Sequence, residues 1–236
     1  MLFQIADLIV EIPDAGGLAP RCRDYLTSET VRADIIIRTD LYHWERYSAD
    51  TDPGLIHSLE SCRQFYMNLY RFNGMMLHAS AVELDGKAYL FSGLSGMGKS
   101  THTRIWQSVH GSRAQVFNDD KPALRLIDGR WYAYGTPWCG KDGIQQNKKV
   151  PVAGICFLQQ SKENKIRRLE PGDAAQRIIT QTVKRYLDIS QVTALMTLVD
   201  NLVRTIPVFE LENRPEPEAA LLSYETMRRA AEELGL

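Results

Sequence analysis

A glycine-rich loop near the middle of the chain constrains the fold more than any other feature. Residues 93–101 read Gly-Leu-Ser-Gly-Met-Gly-Lys-Ser-Thr and satisfy the pattern G-x-x-x-x-G-K-[ST]. A β-like run, residues 88–92, precedes the loop, and residues 99–110 have the pattern of a helix. A strand, a glycine loop and a helix in this order are typical of phosphate-binding loops. The sequence therefore predicts an α/β protein with this loop at the end of a strand.

Each part of the loop has a chemical role in binding phosphate. Glycine lets successive backbone N–H groups turn inward without a Cβ in the way, and the helix N-terminus adds unpaired donors. Lys99 would neutralise the β- and γ-phosphates, and the Ser100 hydroxyl would ligate Mg²⁺. We therefore expect ATP and Mg²⁺ as cofactors. The predicted nucleotide-binding residues are Gly93, Leu94, Ser95, Gly96, Met97, Gly98, Lys99, Ser100 and Thr101.

Two adjacent aspartates follow the next predicted strand. A short strand is predicted over residues 115–117, and it leads through Asn118 into Asp119 and Asp120. A magnesium ion held by one hydroxyl and by phosphates also needs a protein carboxylate. Adjacent residues at a strand end point in different directions, so one aspartate can face the metal while the other faces the incoming nucleophile. The alternative is a turn with no catalytic role.

The remaining patterns predict a mixed sheet rather than an all-parallel one. Asp85-Gly86 and Asp128-Gly129 are two-residue hairpin signals on either side of the loop and its helix. Helices are predicted over residues 55–72, with Gly74 as the stop, and over 174–187, 192–203 and 217–234. Strands are predicted over residues 3–10, 33–38, 76–84, 123–127, 131–134, 152–158 and 208–211.

The segment around the loop resembles a known family. Residues 77–86, 91–93 and 118–120 resemble the catalytic domain of HPr kinase/phosphorylase, and the loop is also similar to that of ATP-dependent phosphoenolpyruvate carboxykinase. The resemblance runs from residue 76 to about residue 126. It implies the mixed-sheet phosphate-loop fold that these families share, as a catalytic domain over residues 74–236. Residues 1–73 would then form a small N-terminal α+β cap or substrate-recognition region.

The resemblance also implies roles for three side chains. Asp119 is similar to the base that takes the hydroxyl proton, and Asp120 to the acidic neighbour near the metal. His78 is similar to the family histidine beside the catalytic aspartate. Without the resemblance, a lone histidine on a β-like run is more often a core residue.

The chain also departs from both families. Thr101 stands where HPr kinases usually carry glutamate, and neither the C-terminal signature of those enzymes nor the phosphoenolpyruvate-binding segments of the carboxykinases have a counterpart. We therefore expect a stand-alone HPr kinase-like enzyme that transfers the γ-phosphoryl group to a hydroxyl. The expected acceptor is a serine of a protein or peptide, or free serine. Two alternatives are a regulatory module that binds ATP without transfer and a nucleotide hydrolase.

A second glycine-rich segment, residues 135–143, contains Lys141. Glycines on both sides of Lys141 would permit a loop that closes over phosphates, which makes this lysine a candidate for charge stabilisation during catalysis. A solvated surface loop is an equal alternative. Cys139 in the same segment has no adjoining histidine, so an inert thiol is favoured over a nucleophile.

Charge and composition exclude several partners. Lys and Arg total 28 against 29 acidic residues, a net charge of -1, which offers no broad positive field for nucleic acid. Apolar runs stay below 18 residues and no basic residues precede the apolar N-terminus, so we expect neither a membrane span nor a secretory signal. Four separated cysteines without metal-ligand spacing indicate a cytoplasmic protein. Assembly into a homo-oligomer stays open.

Overall fold

A mixed β-sheet with helices on both faces forms the body of the molecule in the computed structural model, which describes residues 1–13, 16–28, 31–183 and 187–236. The helices are α1 (Ala19–Cys22), α2 (Pro53–Leu69), α3 (Lys99–His110), α4 (Pro171–Thr180), α5 (Ile189–Thr205) and α6 (Pro217–Glu233). The strands are β1 (Leu2–Ile5), β2 (Leu8–Glu11), β3 (Ile35–Ile36), β4 (Gly74–Met76), β5 (Ala79–Leu84), β6 (Lys87–Ser92), β7 (Ala114–Asp120), β8 (Ala123–Ile127), β9 (Arg130–Tyr134), β10 (Lys149–Gln160), β11 (Lys165–Arg168) and β12 (Val208–Asn213).

The long strand β10 joins two parts of the large sheet. Its first residues pair antiparallel with β9 and continue the order β4-β8-β9-β10. Its later residues lie parallel between β6 and β12, in the order β11-β12-β10-β6-β5-β7. Parallel and antiparallel pairs in one sheet confirm the prediction of a mixed sheet.

Side chains along β6 pack alternately into two separate apolar layers, since successive residues of a strand face opposite sides of a sheet. Leu90 packs in one cluster with Leu202 of α5. Its neighbour Phe91 packs in another with Trp106 of α3 and Met227 of α6. Helices therefore cover both faces of the sheet, which confirms the α/β class.

The N-terminal region shares its core with the large sheet. β1, β2 and β3 form a small separate sheet, and its apolar side chains pack with Phe65 and Tyr66 of α2. The same cluster contains Tyr134 of β9 and Trp138, whose indole nitrogen donates a hydrogen bond to Ser61 Oγ at 3.0 Å. The topology changes near residue 73 while the apolar core continues across this point. The division into domains at residues 1–73 and 74–236 stays a prediction.

The single strand predicted over residues 3–10 is wrong. This segment is the hairpin of β1 and β2, because Ala6 and Asp7 both take positive φ values of 54° and 57°. No glycine marks this turn in the sequence, so the signal for a two-residue hairpin is missing. The predicted turns at Asp85-Gly86 and Asp128-Gly129 are confirmed, with positive φ at all four positions.

The strand predicted over residues 76–84 is two strands. β4 pairs with β8, whereas β5 begins only at Ala79 and pairs with β6 and β7, which leaves His78 in the break between them. The predicted stop at Gly74 is also wrong. Asn73 takes the left-handed conformation, and Gly74 begins β4, where a Cβ would lie 2.9 Å from the Leu124 carbonyl oxygen.

The predicted helices mostly agree with the structure. The helix over residues 99–110 is confirmed with the same bounds, the one over 192–203 lies within α5, and the last helix ends one residue earlier than predicted. The helix predicted over 174–187 begins earlier and ends at Thr180. Its residues 184–186 lie outside the described residues.

The helices and the cysteines each have one further property. Within the described ranges, every helix is too short or too polar to cross a lipid bilayer. Cys22, Cys62, Cys139 and Cys156 are all free and buried.

His102 of α3 couples the fold to pH. Its side chain is 1% exposed, and its ring lies 4.5 Å from that of Phe91 between centroids. Burial lowers the pKa of His102 to about 4. Below its unfolded pKa of about 6.5, the unfolded chain binds this proton more readily than the folded chain, so stability falls as the pH falls.

We expect this coupling to appear in denaturation. Between pH 7 and pH 5, the wild-type chain should lose about 2 kcal/mol more unfolding free energy than the His102→Gln variant. Glutamine keeps a hydrogen-bonding side chain at this position but does not titrate. Urea denaturation at both pH values measures the difference, and an equal pH dependence in the two proteins would contradict the prediction.

Candidate functional site

The register of three strands places the glycine loop and the aspartates at one edge of the sheet. Ala79 of β5 is the register partner of Ser92 at the end of β6 and of Asp120 at the end of β7. Because β6 and β7 both run antiparallel to β5, they end at the same edge. The loop and the aspartates therefore lie two strands apart, about 10 Å along the sheet.

The backbone of the loop depends on its glycines. Gly96 and Gly98 have φ values of 85° and 89°, which residues with a Cβ rarely adopt. Gly98 directly precedes α3, and its carbonyl oxygen accepts a hydrogen bond from the His102 N–H at 2.8 Å. The first N–H groups of α3 have no partner within the helix, so its N-terminus opens onto the loop as an anion site.

Lys99 folds back over the loop. Its Nζ donates hydrogen bonds to the carbonyl oxygens of Gly93 at 3.0 Å and Leu94 at 3.3 Å. Burial lowers the pKa of Lys99, and the charges of Asp120 and Asp119 partly oppose this shift. A cation held here, beside the unpaired N–H groups, can neutralise bound phosphate.

Ser100 and Asp119 bring together two oxygen ligands. The Ser100 hydroxyl donates a hydrogen bond to Asp119 Oδ2 at 2.9 Å. Mg²⁺ prefers oxygen ligands and is usually held by one or two protein groups plus substrate phosphates, so this pair fits the ion. Within the described residues, no three His, Cys, Asp or Glu side chains are grouped to hold a metal ion. Where Mg²⁺ is held by few protein groups, substrate phosphates and water complete its set of ligands.

Asp120 has a different set of partners. Its Oδ1 lies 2.9 Å from His78 Nε2, and its Oδ2 pairs with Lys121 Nζ. Burial raises the pKa of Asp120, but the hydrogen bond from His78 and the charge of Lys121 outweigh it and hold the pKa well below its usual range. The φ of Asp120 is 94°, a strained conformation for a residue other than glycine.

These contacts differ from the expected pairing of His78. The resemblance placed this histidine beside Asp119 as the base, whereas His78 contacts Asp120. Asp119 contacts Ser100, the predicted metal ligand. The resemblance instead implies that Asp120 lies near the metal. Both aspartates lie at the predicted edge of the sheet. The contact with His78 is made by Asp120, and the contact with Ser100 is made by Asp119, which is the reverse of the expected arrangement.

Several side chains at the site were not predicted. Lys121 pairs with Asp120, and its only signal in the sequence is its position directly after the two aspartates. The Lys121 carbonyl oxygen accepts hydrogen bonds from Tyr66 at 2.5 Å and from Thr136 at 2.9 Å. Gln181 Oε1 lies 3.1 Å from His78 Nδ1, and the Gln181 backbone carbonyl oxygen accepts a hydrogen bond from the His78 backbone N–H at 2.7 Å.

One cavity of about 560 Å³ connects most of these groups. It is lined by His78, Ser95, Gly96, Gly98, Lys99, Ser100, Thr101, Asp119, Asp120, Gly140, Lys141 and Asp142. The other predicted loop residues, Gly93, Leu94 and Met97, line neighbouring cavities instead. The structure therefore gathers the phosphate loop, both aspartates and His78 around one space.

The segment that carries Lys141 forms a wall of this cavity. The Gly140 N–H donates a hydrogen bond to the Asp119 carbonyl oxygen at 2.9 Å, which ties the segment to β7. Lys141 is exposed, and its neighbour Asp142 pairs with Arg104 at 2.6 Å. Burial raises the pKa of the Cys139 thiol, so it stays protonated, as expected for an inert thiol.

Comparison with known proteins identifies the family. The family model of the SynChlorMet cassette protein ScmC matches residues 46–214, more than half of the chain. The chain belongs to the ScmC family. No curated protein matches this ScmC family member in sequence. Among solved structures, the HPr(Ser) kinase/phosphatase from Coxiella burnetii is distantly similar in fold, with 12% identity, a TM-score of 0.40 and coverage of 68% of this chain and 92% of that chain.

Proposed function

We propose that this ScmC family member is an ATP- and Mg²⁺-dependent kinase that transfers the γ-phosphoryl group to a hydroxyl. The proposed acceptor is a serine of a protein or peptide, or free serine. The supporting observation is that Lys99, the Ser100–Asp119 pair and the Asp120–His78 pair face one cavity. Phosphoryl transfer requires little covalent chemistry from the protein, so positioned charges around a phosphate loop suit it.

The proposal assigns the phosphates to the loop. Its glycines and the N-terminus of α3 would cradle the phosphate oxygens, while Lys99 neutralises their charge. Ser100 and Asp119 would hold Mg²⁺, which when bound supplies further charge neutralisation on the phosphoryl oxygens. Residues 74–236 form the proposed catalytic unit on a phosphate-loop fold of the HPr kinase type, and residues 1–73 the proposed cap.

Asp120 would orient the acceptor hydroxyl and receive its proton. Because its pKa is depressed, Asp120 is ionised at neutral pH and can accept a hydrogen bond from that hydroxyl. His78 and Lys121 hold the carboxylate in place. The proposed roles of Asp119 and Asp120 are the reverse of those implied by the resemblance, because Asp119 is the aspartate that contacts Ser100.

A transfer assay tests the proposal. The full chain is incubated with γ-labelled ATP and Mg²⁺ together with free serine, with serine-containing peptides, or with water alone. We expect labelled phosphoserine that is strongly reduced in Lys99→Ala and Asp119→Asn but persists in Lys165→Ala, which changes an exposed lysine of β11. Phosphate release without an acceptor would identify a hydrolase, and ATP binding without turnover a regulatory module. Unchanged transfer in both site variants would contradict the proposed site.

A further inference from the structure

A second cavity adjoins the phosphate loop. It shares Gly96, Gly98 and Thr101 with the candidate site, but neither aspartate lines it. Its volume of about 380 Å³ lies within the range of small-molecule sites, about 300 to 1,000 Å³. Met97 and Pro215 add apolar surface to its lining. The space is therefore large enough for a planar ring and continuous with the loop.

One wall of this cavity contains a buried acceptor without a donor. Asn213 is 8% exposed and lines the cavity, and its Nδ2 donates a hydrogen bond to the Arg214 carbonyl oxygen at 3.2 Å. Because a carbonyl oxygen can only accept, this contact fixes the orientation of the amide. Asn213 Oδ1 is then an acceptor, and it has no partner among the described residues. A buried acceptor that lacks a hydrogen-bond donor favours a ligand that donates a hydrogen bond to it.

A second unpartnered acceptor comes from α3. Ser223 Oγ donates its proton to the Ala220 carbonyl oxygen at 3.0 Å and accepts from Trp106 Nε1 at 3.0 Å. Ser223 can therefore only accept from His102 Nε2, 3.2 Å away, which places the ring proton on Nε2. His102 also lines the cavity, and its Nδ1 lacks a partner in the described part of the chain.

We propose that this second cavity binds the nucleotide base and selects adenine over guanine, with the 6-amino group donating to Asn213 Oδ1. The inference rests on the proposed function, which puts the γ-phosphate beside Asp119 and Asp120. The nucleoside then leaves the loop at its other side, over Gly96 and Thr101, where the second cavity lies.

The hydrogen-bonding groups of the wall match adenine. Adenine offers two N–H donors on its exocyclic amine and has no carbonyl oxygen, whereas the guanine carbonyl at the same ring position needs a donor. The unpartnered acceptor Asn213 Oδ1 is therefore matched by an amine at this ring position and not by a carbonyl oxygen.

Nucleotide binding by calorimetry tests the assignment on the full chain. The ligands are the Mg²⁺ complexes of ATP, GTP, tripolyphosphate and purine riboside triphosphate, which differs from ATP only by lacking the 6-amino group. We expect ATP to bind about tenfold more tightly than purine riboside triphosphate or GTP, as one hydrogen bond to a buried acceptor predicts. In Asn213→Leu, which removes the acceptor, ATP and purine riboside triphosphate should bind equally. Asn147→Leu changes an exposed asparagine and should keep the tenfold preference.

The outcomes separate this inference from the proposed function. If wild-type protein binds all the triphosphates equally and Lys99→Ala weakens them all, the base assignment is overturned while the phosphate site stands. If no triphosphate binds, both are overturned. The comparison of ATP with purine riboside triphosphate on wild-type protein decides the question even where Asn213→Leu does not fold.

Discussion

The Lys99→Ala variant is expected to transfer the γ-phosphoryl group about 10²- to 10³-fold more slowly than the wild-type chain. Lys99 Nζ lies over the loop, 3.0 Å from the Gly93 carbonyl oxygen, and its side chain is buried at the cavity. A charge fixed in a partly dehydrated site acts on phosphate far more strongly than one in water. Its removal leaves the phosphate charge to the backbone N–H groups and Mg²⁺. Initial rates with labelled ATP at saturating Mg²⁺ measure the loss.

Lys141→Ala is the matched control, because it removes a lysine from the same cavity. Lys141 is exposed and therefore screened by water, so a much smaller loss is expected. Thermal unfolding of both variants checks that the fold is intact. A Lys99→Ala rate within about tenfold of wild type would contradict the assigned role, since tenfold corresponds to only about 1.4 kcal/mol of barrier. A loss in Lys141→Ala as large as that in Lys99→Ala would instead indicate that residues 135–143 close over the phosphates.

The parts of the site that depend on local sequence could be predicted. The glycine pattern requires positive φ at Gly96 and Gly98, and both have it. The helix after the loop begins and ends where its periodicity indicates, and the Asp-Gly turns fold the neighbouring strands back as hairpins. These features are set by a few adjacent residues. Their conformational preferences agree with the final fold, so tertiary contacts had little to override.

The partners of the two aspartates could not be predicted, because they depend on strand register. Ala81 pairs with Asn118, whereas its neighbour Val82 pairs with Val116, so β7 has one extra residue at Phe117. Such a bulge interrupts the regular alternation of side chains along a strand. The side of the sheet that Asp119 faces is therefore set by this irregularity and not by counting along the sequence.

The supporting contacts of the site are also beyond local patterns. Gln181 reaches His78 from 103 positions along the chain, and Tyr66 reaches Lys121 from 55 positions away. Glutamine and tyrosine carry no signal for such a contact in a single sequence. The break between β4 and β5 that leaves His78 beside Asp120 was missed for a related reason. Its cause is the pairing of the two strands with different neighbours, β8 for β4 and both β6 and β7 for β5.

The two aspartates should respond differently to the same substitution. Asp120→Asn is expected to slow phosphoryl transfer about 10²- to 10⁴-fold while Mg²⁺·ATP affinity stays close to that of wild type, because the proposed function places its carboxylate beside the acceptor and not at the metal. Asp119→Asn is expected to raise the Mg²⁺ concentration needed for ATP binding, because it removes the charged ligand beside Ser100. Each variant is the control for the other, since both remove one charge at adjacent positions with little change in volume.

Two titrations distinguish this division from its reverse. Mg²⁺ is titrated at fixed ATP to measure binding, and transfer rates are then measured at saturating Mg²⁺ for wild type and both variants. If Asp120→Asn raised the Mg²⁺ requirement and Asp119→Asn did not, the hydrogen bond between Ser100 and Asp119 would not mark the metal site. The roles implied by the resemblance would then be restored. The contact between His78 and Asp120 would then support a metal ligand, since a group hydrogen-bonded to a carboxylate that binds a cation commonly orients it.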